Sequence, residues 1–147
     1  MLYVSYRPIF RSFIDQKIAQ FRAEIGNRTL SEEQQRIYNV FTRTKGVSRF
    51  TMTDGYGDSV RFKVDPSKFS DGPQHILTKH YRGHEGRITA TEIINMCEVI
   101  RKGTKRKTPT HITYKLAKNV GGNKLILALK ITRNDLVLKS FYSNRRK

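Results

Sequence analysis

The spacing of apolar residues changes from helical to strand-like near residue 47 and turns helical again only for a middle stretch, which limits the chain to folds that keep helices and strands in separate blocks. Over residues 8–26, Phe10, Phe13, Ile14, Ile18, Phe21 and Ile25 recur at steps of three and four. They mark one face of a helix that Gly26-Asn27 can end. Ser31 with Gln34 three residues on has the pattern of a capping box, and the helix it opens turns Ile37, Val40 and Phe41 inward before Lys45-Gly46. Between residues 47 and 64 the period falls to two. Phe50, Met52, Val60, Phe62 and Val64 alternate with polar residues on either side of an Asp54-Gly55-Tyr56-Gly57-Asp58 turn.

Asp71 or Gly72 can cap a short helix with Pro73 in its first turn, where a missing N–H costs nothing. A second capping pattern, Thr89 with Glu92, opens a helix whose apolar side is Ile93, Ile94, Met96, Cys97 and Ile100. Residues 101–107 then read as a basic loop. The last third holds three strand-like runs, residues 111–118, 123–132 and 136–142, joined by hairpin turns at 120–123 and 133–135. The near-continuous apolar run Leu125-Ile126-Leu127-Ala128-Leu129 predicts a middle strand covered on both faces. The expected architecture is α+β: an N-terminal helical hairpin, residues 1–46, then a small domain, residues 47–147, in which two helices pack an antiparallel sheet.

Charge narrows the partner. The formal net charge is +17, and from Arg101 onward there are 14 lysines and arginines against one acid, Asp135. Such a chain concentrates at polyanions, because releasing counterions from phosphates drives association. Nucleic acid is the leading partner class, ahead of an anionic membrane surface or an acidic protein. No run is long and apolar enough to span a bilayer. The opening Met1-Leu2-Tyr3-Val4-Ser5-Tyr6-Arg7 lacks the charged-then-apolar order of a signal peptide, so action in the cytoplasm is the expectation. The lone Cys97 builds neither a disulfide framework nor a zinc site and reads as a small buried hydrophobe.

Chemistry concentrates in Asp71-Gly72-Pro73-Gln74-His75-Ile76-Leu77-Thr78-Lys79-His80. On an α-helix His75 and Lys79 share one face, whereas His75 and His80, five apart, do not. His75, His80 and His84 lack the acid cluster and alignment of a metal site, and no cofactor is expected. A proton-transfer group beside a fixed cation suits RNA cleavage. A base deprotonates the 2′-hydroxyl, that oxygen attacks phosphorus, an acid protonates the leaving 5′-oxygen, and cations hold the phosphoryl charge. Beside this stands the plainer reading of packed or hydrogen-bonded imidazoles. Phosphate contacts are assigned to Arg101, Lys102, Lys105, Arg106 and Lys107 of the basic loop, to Lys115 and Arg133 by sheet position, and to Arg145 and Arg146 of the tail. His111, Tyr114 and Lys115 on one edge strand, with Ser140 and Tyr142 on another, are expected to ring the surface.

The stretch His75-Ile76-Leu77-Thr78-Lys79-His80, the short loop after it, the Ile88-Thr89-Ala90-Thr91-Glu92-Ile93-Ile94 helix, a three-strand meander and the closing Leu138-Lys139-Ser140-Phe141-Tyr142 together resemble the barnase/EndoU/colicin/RelE-like ribonuclease superfamily, in its phage-borne and polymorphic-toxin branches. The resemblance covers residues 47–147 and not the hairpin. It implies a metal-independent endoribonuclease, a toxin or phage-encoded factor acting on tRNA or mRNA, with a cognate inhibitor or immunity protein as its partner. By motif it places His75, Lys79 and His80 in the helix part of the site and Ser140 and Tyr142 in the strand part. The residues themselves leave two alternatives open: a non-catalytic basic nucleic-acid-binding protein, or a phage or plasmid protein that docks on an acidic host protein.

Overall fold

The structure, a computed structural model, describes residues 6–117 and 123–145, with side chains over 13–117 and 123–145. The side chain of Phe10, the turn residues 120–122 and Arg146 lie outside the described residues. In order the elements are α1 (Tyr6–Ile25), α2 (Glu32–Phe41), β1 (Ser48–Thr53), β2 (Ser59–Val64), α3 (Pro73–His75) running into a π turn (Ile76–His80), α4 (Ala90–Ile94), α5 (Cys97–Lys102), β3 (Thr104–Lys107), β4 (His111–Ala117), β5 (Lys124–Ile131) and β6 (Leu136–Ser143). The fold is α+β, with helices first and a six-stranded sheet after them. Among the described residues no helix is long and apolar enough to cross a membrane.

The α1 stripe buries Ile14, Ile18, Phe21 and Ile25 but leaves Phe13 at the surface, with the Lys17 ammonium 5.6 Å from its ring centre. Ser31 and Gln34 form the capping box, each side chain accepting the other residue's backbone N–H. The hairpin is tied to the remainder by both packing and polar contacts. Phe21 meets Tyr81 edge-on at 5.9 Å, and the Lys17 ammonium donates to the Tyr81 carbonyl at 2.7 Å. Gln34 donates to Asn95 at 2.8 Å, and the Arg101 guanidinium grips the Glu33 carboxylate. One apolar core therefore runs from α1 to β6.

The strand order is β1-β2-β6-β5-β4-β3. Every pairing is antiparallel except β2–β6, which is parallel over Phe62↔Leu136 and Lys63↔Val137. Phe50, Phe62, Leu127, Leu129, Leu138 and Phe141 point to the helix-covered face and are buried. Of the apolar run on β5, Leu125, Leu127 and Leu129 enter that core, while Ile126 and Ala128 point the other way and floor a cleft.

Two surface expectations are corrected here. Residues 104–107 form the edge strand β3, not a loop, so β4 is interior to the sheet. Tyr114 does not ring a surface: it is fully buried, and its hydroxyl donates to the Asp54 carboxylate at 2.8 Å. The Lys105 ammonium is paired with two carboxylates, 2.9 Å from Asp54 and 2.7 Å from Asp58. That internal neutralisation lets a strand reading Thr-Lys-Arg-Lys pair against β4.

Candidate active site

Two backbone irregularities build the site. The first is the π turn, in which the Tyr81 N–H reaches back to the Ile76 carbonyl at 2.9 Å, an i→i+5 bond. Widening the turn brings residues five apart over one another. His75 and His80 therefore meet, with ring centres 5.2 Å apart and planes at 80°. Ile76 and Leu77, buried beneath, anchor the turn to the core.

The second is a bulge in β6. Ala128 sits opposite Ser140 but Leu129 sits opposite Leu138, so Lys139 is the extra residue. A bulge re-aims side chains, and here Lys139 and Ser140 both line the cleft. The Lys139 ammonium lies 3.4 Å from His111 Nε2, and His111 Nδ1 lies 2.8 Å from the Thr110 hydroxyl. An ammonium only donates, so Nε2 is the acceptor and Nδ1–H points to Thr110.

His80 is held from three sides. Its Nδ1–H donates to the Glu85 carbonyl at 3.0 Å, which leaves Nε2 with the lone pair. Its ring stacks on Tyr142 at 5.3 Å, and His75 closes the third side. Gly86, with φ +63, allows this fit, because a Cβ there would lie 2.9 Å from His80 Nδ1 and 3.1 Å from the Tyr142 Cβ. Gly86→Ala is expected to cost about 1–3 kcal/mol of stability in a denaturant titration. It should also move the His80 ring off Tyr142, read as an altered ring-current shift of the imidazole protons. Gly57→Ala, also at positive φ but facing open space, should cost stability and leave that shift unchanged.

Burial lowers the pKa of His75, and the neighbouring His80 and Lys79 push it the same way. Burial also lowers that of His80, against the pull of its bond to the Glu85 carbonyl. The cleft these groups line measures about 590 Å³, and Arg145 stands at its rim, 2.6 Å from the Glu92 carboxylate. The Ser140 hydroxyl is buried and makes no hydrogen bond.

His75, Lys79, His80, Ser140 and Tyr142 thus all line one cleft, joined there by Arg145 of the proposed phosphate contacts. The other cations scatter. Arg101 is bound by Glu33 and Glu98, and the mostly exposed Lys102 pairs with Glu98 at 3.2 Å. Arg106 and Lys115 are exposed on the cleft side of the sheet, Lys107 is exposed at its edge, and Arg133 is exposed in the β5–β6 turn. His84 lines a separate hollow with Glu24 and Arg82. Among the described residues no three His, Cys, Asp or Glu side chains group as metal ligands.

Sequence reasoning set His111 around the same surface as Ser140 and Tyr142 without giving it a role, and did not assign Lys139, Glu85 or Gly86 to the site. The signal for His111 was its place at the start of β4, one strand removed from β6 across β5. Lys139 had none, because strict alternation puts it on the opposite face from Ser140. Comparison with protein-family models, curated proteins and solved structures found no match to this chain.

Proposed function

We propose that the chain is a metal-independent endoribonuclease that cleaves RNA by 2′-hydroxyl attack and leaves a 2′,3′-cyclic phosphate. The observation that carries this reading is the pair of touching imidazoles, His75 and His80, in a cleft shared with Lys79, Lys139 and Arg145.

His80 Nε2, the free acceptor, takes the 2′-hydroxyl proton as that oxygen bonds to phosphorus. His75, the more open ring, gives its proton to the 5′-oxygen as the P–O5′ bond breaks. The ammonium groups of Lys79 and Lys139 hold the charge on the phosphoryl oxygens, and the Ser140 hydroxyl, buried in the cleft wall without a partner, reaches one of them only if its side chain turns outward. Tyr142 acts as the plate that keeps His80 in line. Two rings this close titrate as a pair, and the singly protonated pair is the working form. The substrate is cytoplasmic RNA, tRNA or mRNA, and a toxin or phage factor of this kind is restrained by an acidic inhibitor that covers the cleft.

The test is incubation with end-labelled total RNA in EDTA across a pH series. Both imidazoles sit below the ordinary histidine value of about 6.5. The acid ring therefore loses its proton at lower pH than a solvated histidine. kcat/KM should peak below about pH 6.5 and fall with each unit toward pH 8. RNA bound and left intact at every pH would instead make the chain a basic binding protein.

A further inference from the structure

The face of the sheet away from the helices carries a row of cations that leads out of the cleft. Cross-strand partners point to the same face, so the register places Arg49 of β1 and Lys63 of β2 in line with Lys130 of β5 and His111 of β4, with Arg61 one step along β2. Arg49, Arg61 and Lys130 are exposed and Lys63 is half-buried. Two acids border the row: Asp135, 2.8 Å from Arg49 and 4.0 Å from Lys63, and Asp71, 3.8 Å from Lys130. No acid projects from the strands themselves on this face among the described residues. Six strands at about 4.8 Å per step make a platform about 24 Å wide.

The face offers charge and almost no stacking surface. Among the described residues its strands present two rings: Tyr142, occupied by His80, and the half-buried His111 imidazole, held between Thr110 and Lys139. Single-stranded RNA is held by stacking bases on exposed rings. Base-paired RNA hides its bases and offers phosphates and 2′-hydroxyls.

We infer that this face binds the sugar–phosphate backbone of base-paired RNA beside the cleft, so that the substrate is a folded RNA cut next to a helical stem. The inference rests on the ribonuclease reading for the cut and is tested apart from it. The probe is a fluorescent 20-base-pair RNA duplex with 2′-O-methyl riboses, which blocks the attacking hydroxyl, compared with one of its strands alone in anisotropy titrations with the full chain. The duplex should bind at least tenfold more tightly than the strand. The triple variant Arg61→Gln, Lys63→Gln, Lys130→Gln should lose at least tenfold in duplex affinity. Its log–log salt dependence should be shallower by about 2 to 3, one phosphate contact per cation removed. A control triple on exposed residues elsewhere, Arg28→Gln, Lys45→Gln, Lys68→Gln, lowers net charge equally and should lose far less. Equal losses in the two triples, an unchanged sheet triple or tighter binding of the single strand would each overturn the inference. Thermal melts of both triples establish that they are folded. Because the probe cannot be cut, duplex binding stands or falls whatever the outcome of the cleavage assay.

Discussion

Replacing His75 with alanine is expected to lower kcat for RNA cleavage by about 10²- to 10⁴-fold, the usual worth of a positioned proton-transfer group. The fold should survive. His75 is half-buried at the end of α3, and its ring packs against His80 but not into the core. The apparent affinity for non-cleavable RNA should change little, because Lys79, Lys139 and Arg145 remain. Single-turnover rates beside binding titrations separate the two effects. A variant that retains at least half of the wild-type rate would remove His75 from the mechanism. One that loses binding and rate together would make the ring a structural part of the cleft wall.

The largest loss of stability is expected at Asp54, remote from that chemistry. Its side chain is wholly buried and accepts four bonds: from the Tyr56 and Asp58 amides at 2.8 and 3.0 Å, from the Tyr114 hydroxyl at 2.8 Å and from the Lys105 ammonium at 2.9 Å. Burial alone would raise its pKa. The bonds from Lys105, Tyr114 and the two amides outweigh burial and hold it well below the usual carboxylate range. Asp54→Ala strands the buried Tyr114 hydroxyl and two turn amides and takes from Lys105 one of its two carboxylates, and should cost about 3–5 kcal/mol in urea unfolding. A lowered pKa also fixes a pH dependence. The stabilisation is complete above the unfolded carboxyl value of about 3.9 and is lost as pH falls below it. Wild-type stability should therefore drop steeply below about pH 4, and Asp54→Asn should flatten that limb. Matching acid limbs in the two proteins would show that the carboxylate is not what ties the β1–β2 turn to β3 and β4.

How far the fold can be read from the sequence differs between elements for identifiable reasons. The capping boxes at Ser31 and Thr89 and the alternation on β1 and β2 are local signals, and the helix starts and strands stand where those signals put them, but the single helix expected after Thr89 is broken at Asn95-Met96 into α4 and α5. β3 is hidden because Thr104-Lys105-Arg106-Lys107 has no apolar alternation, and the acids that neutralise Lys105 lie about fifty residues earlier. Tyr114 misleads for the same reason, since its partner Asp54 is distant in sequence. In the cleft, the residue types were legible and their arrangement was not. Helical spacing pairs His75 with Lys79, whereas the π turn pairs His75 with His80. Strand alternation separates Lys139 from Ser140, whereas the bulge unites them. Both departures are backbone irregularities that composition does not announce, and such departures gather at working sites.

The most direct measurement uses two RNA oligonucleotides that differ in one atom. The chain is incubated in EDTA with an all-ribose strand and with the same strand carrying a single 2′-deoxy nucleotide at the cleaved position, and the ends are identified by mass spectrometry. The expected result is a 2′,3′-cyclic phosphate and a 5′-hydroxyl from the first strand and no cut at that position in the second. Cleavage of both strands, or products ending in a 5′-phosphate, would contradict attack by the 2′-hydroxyl and with it the roles given to His75 and His80.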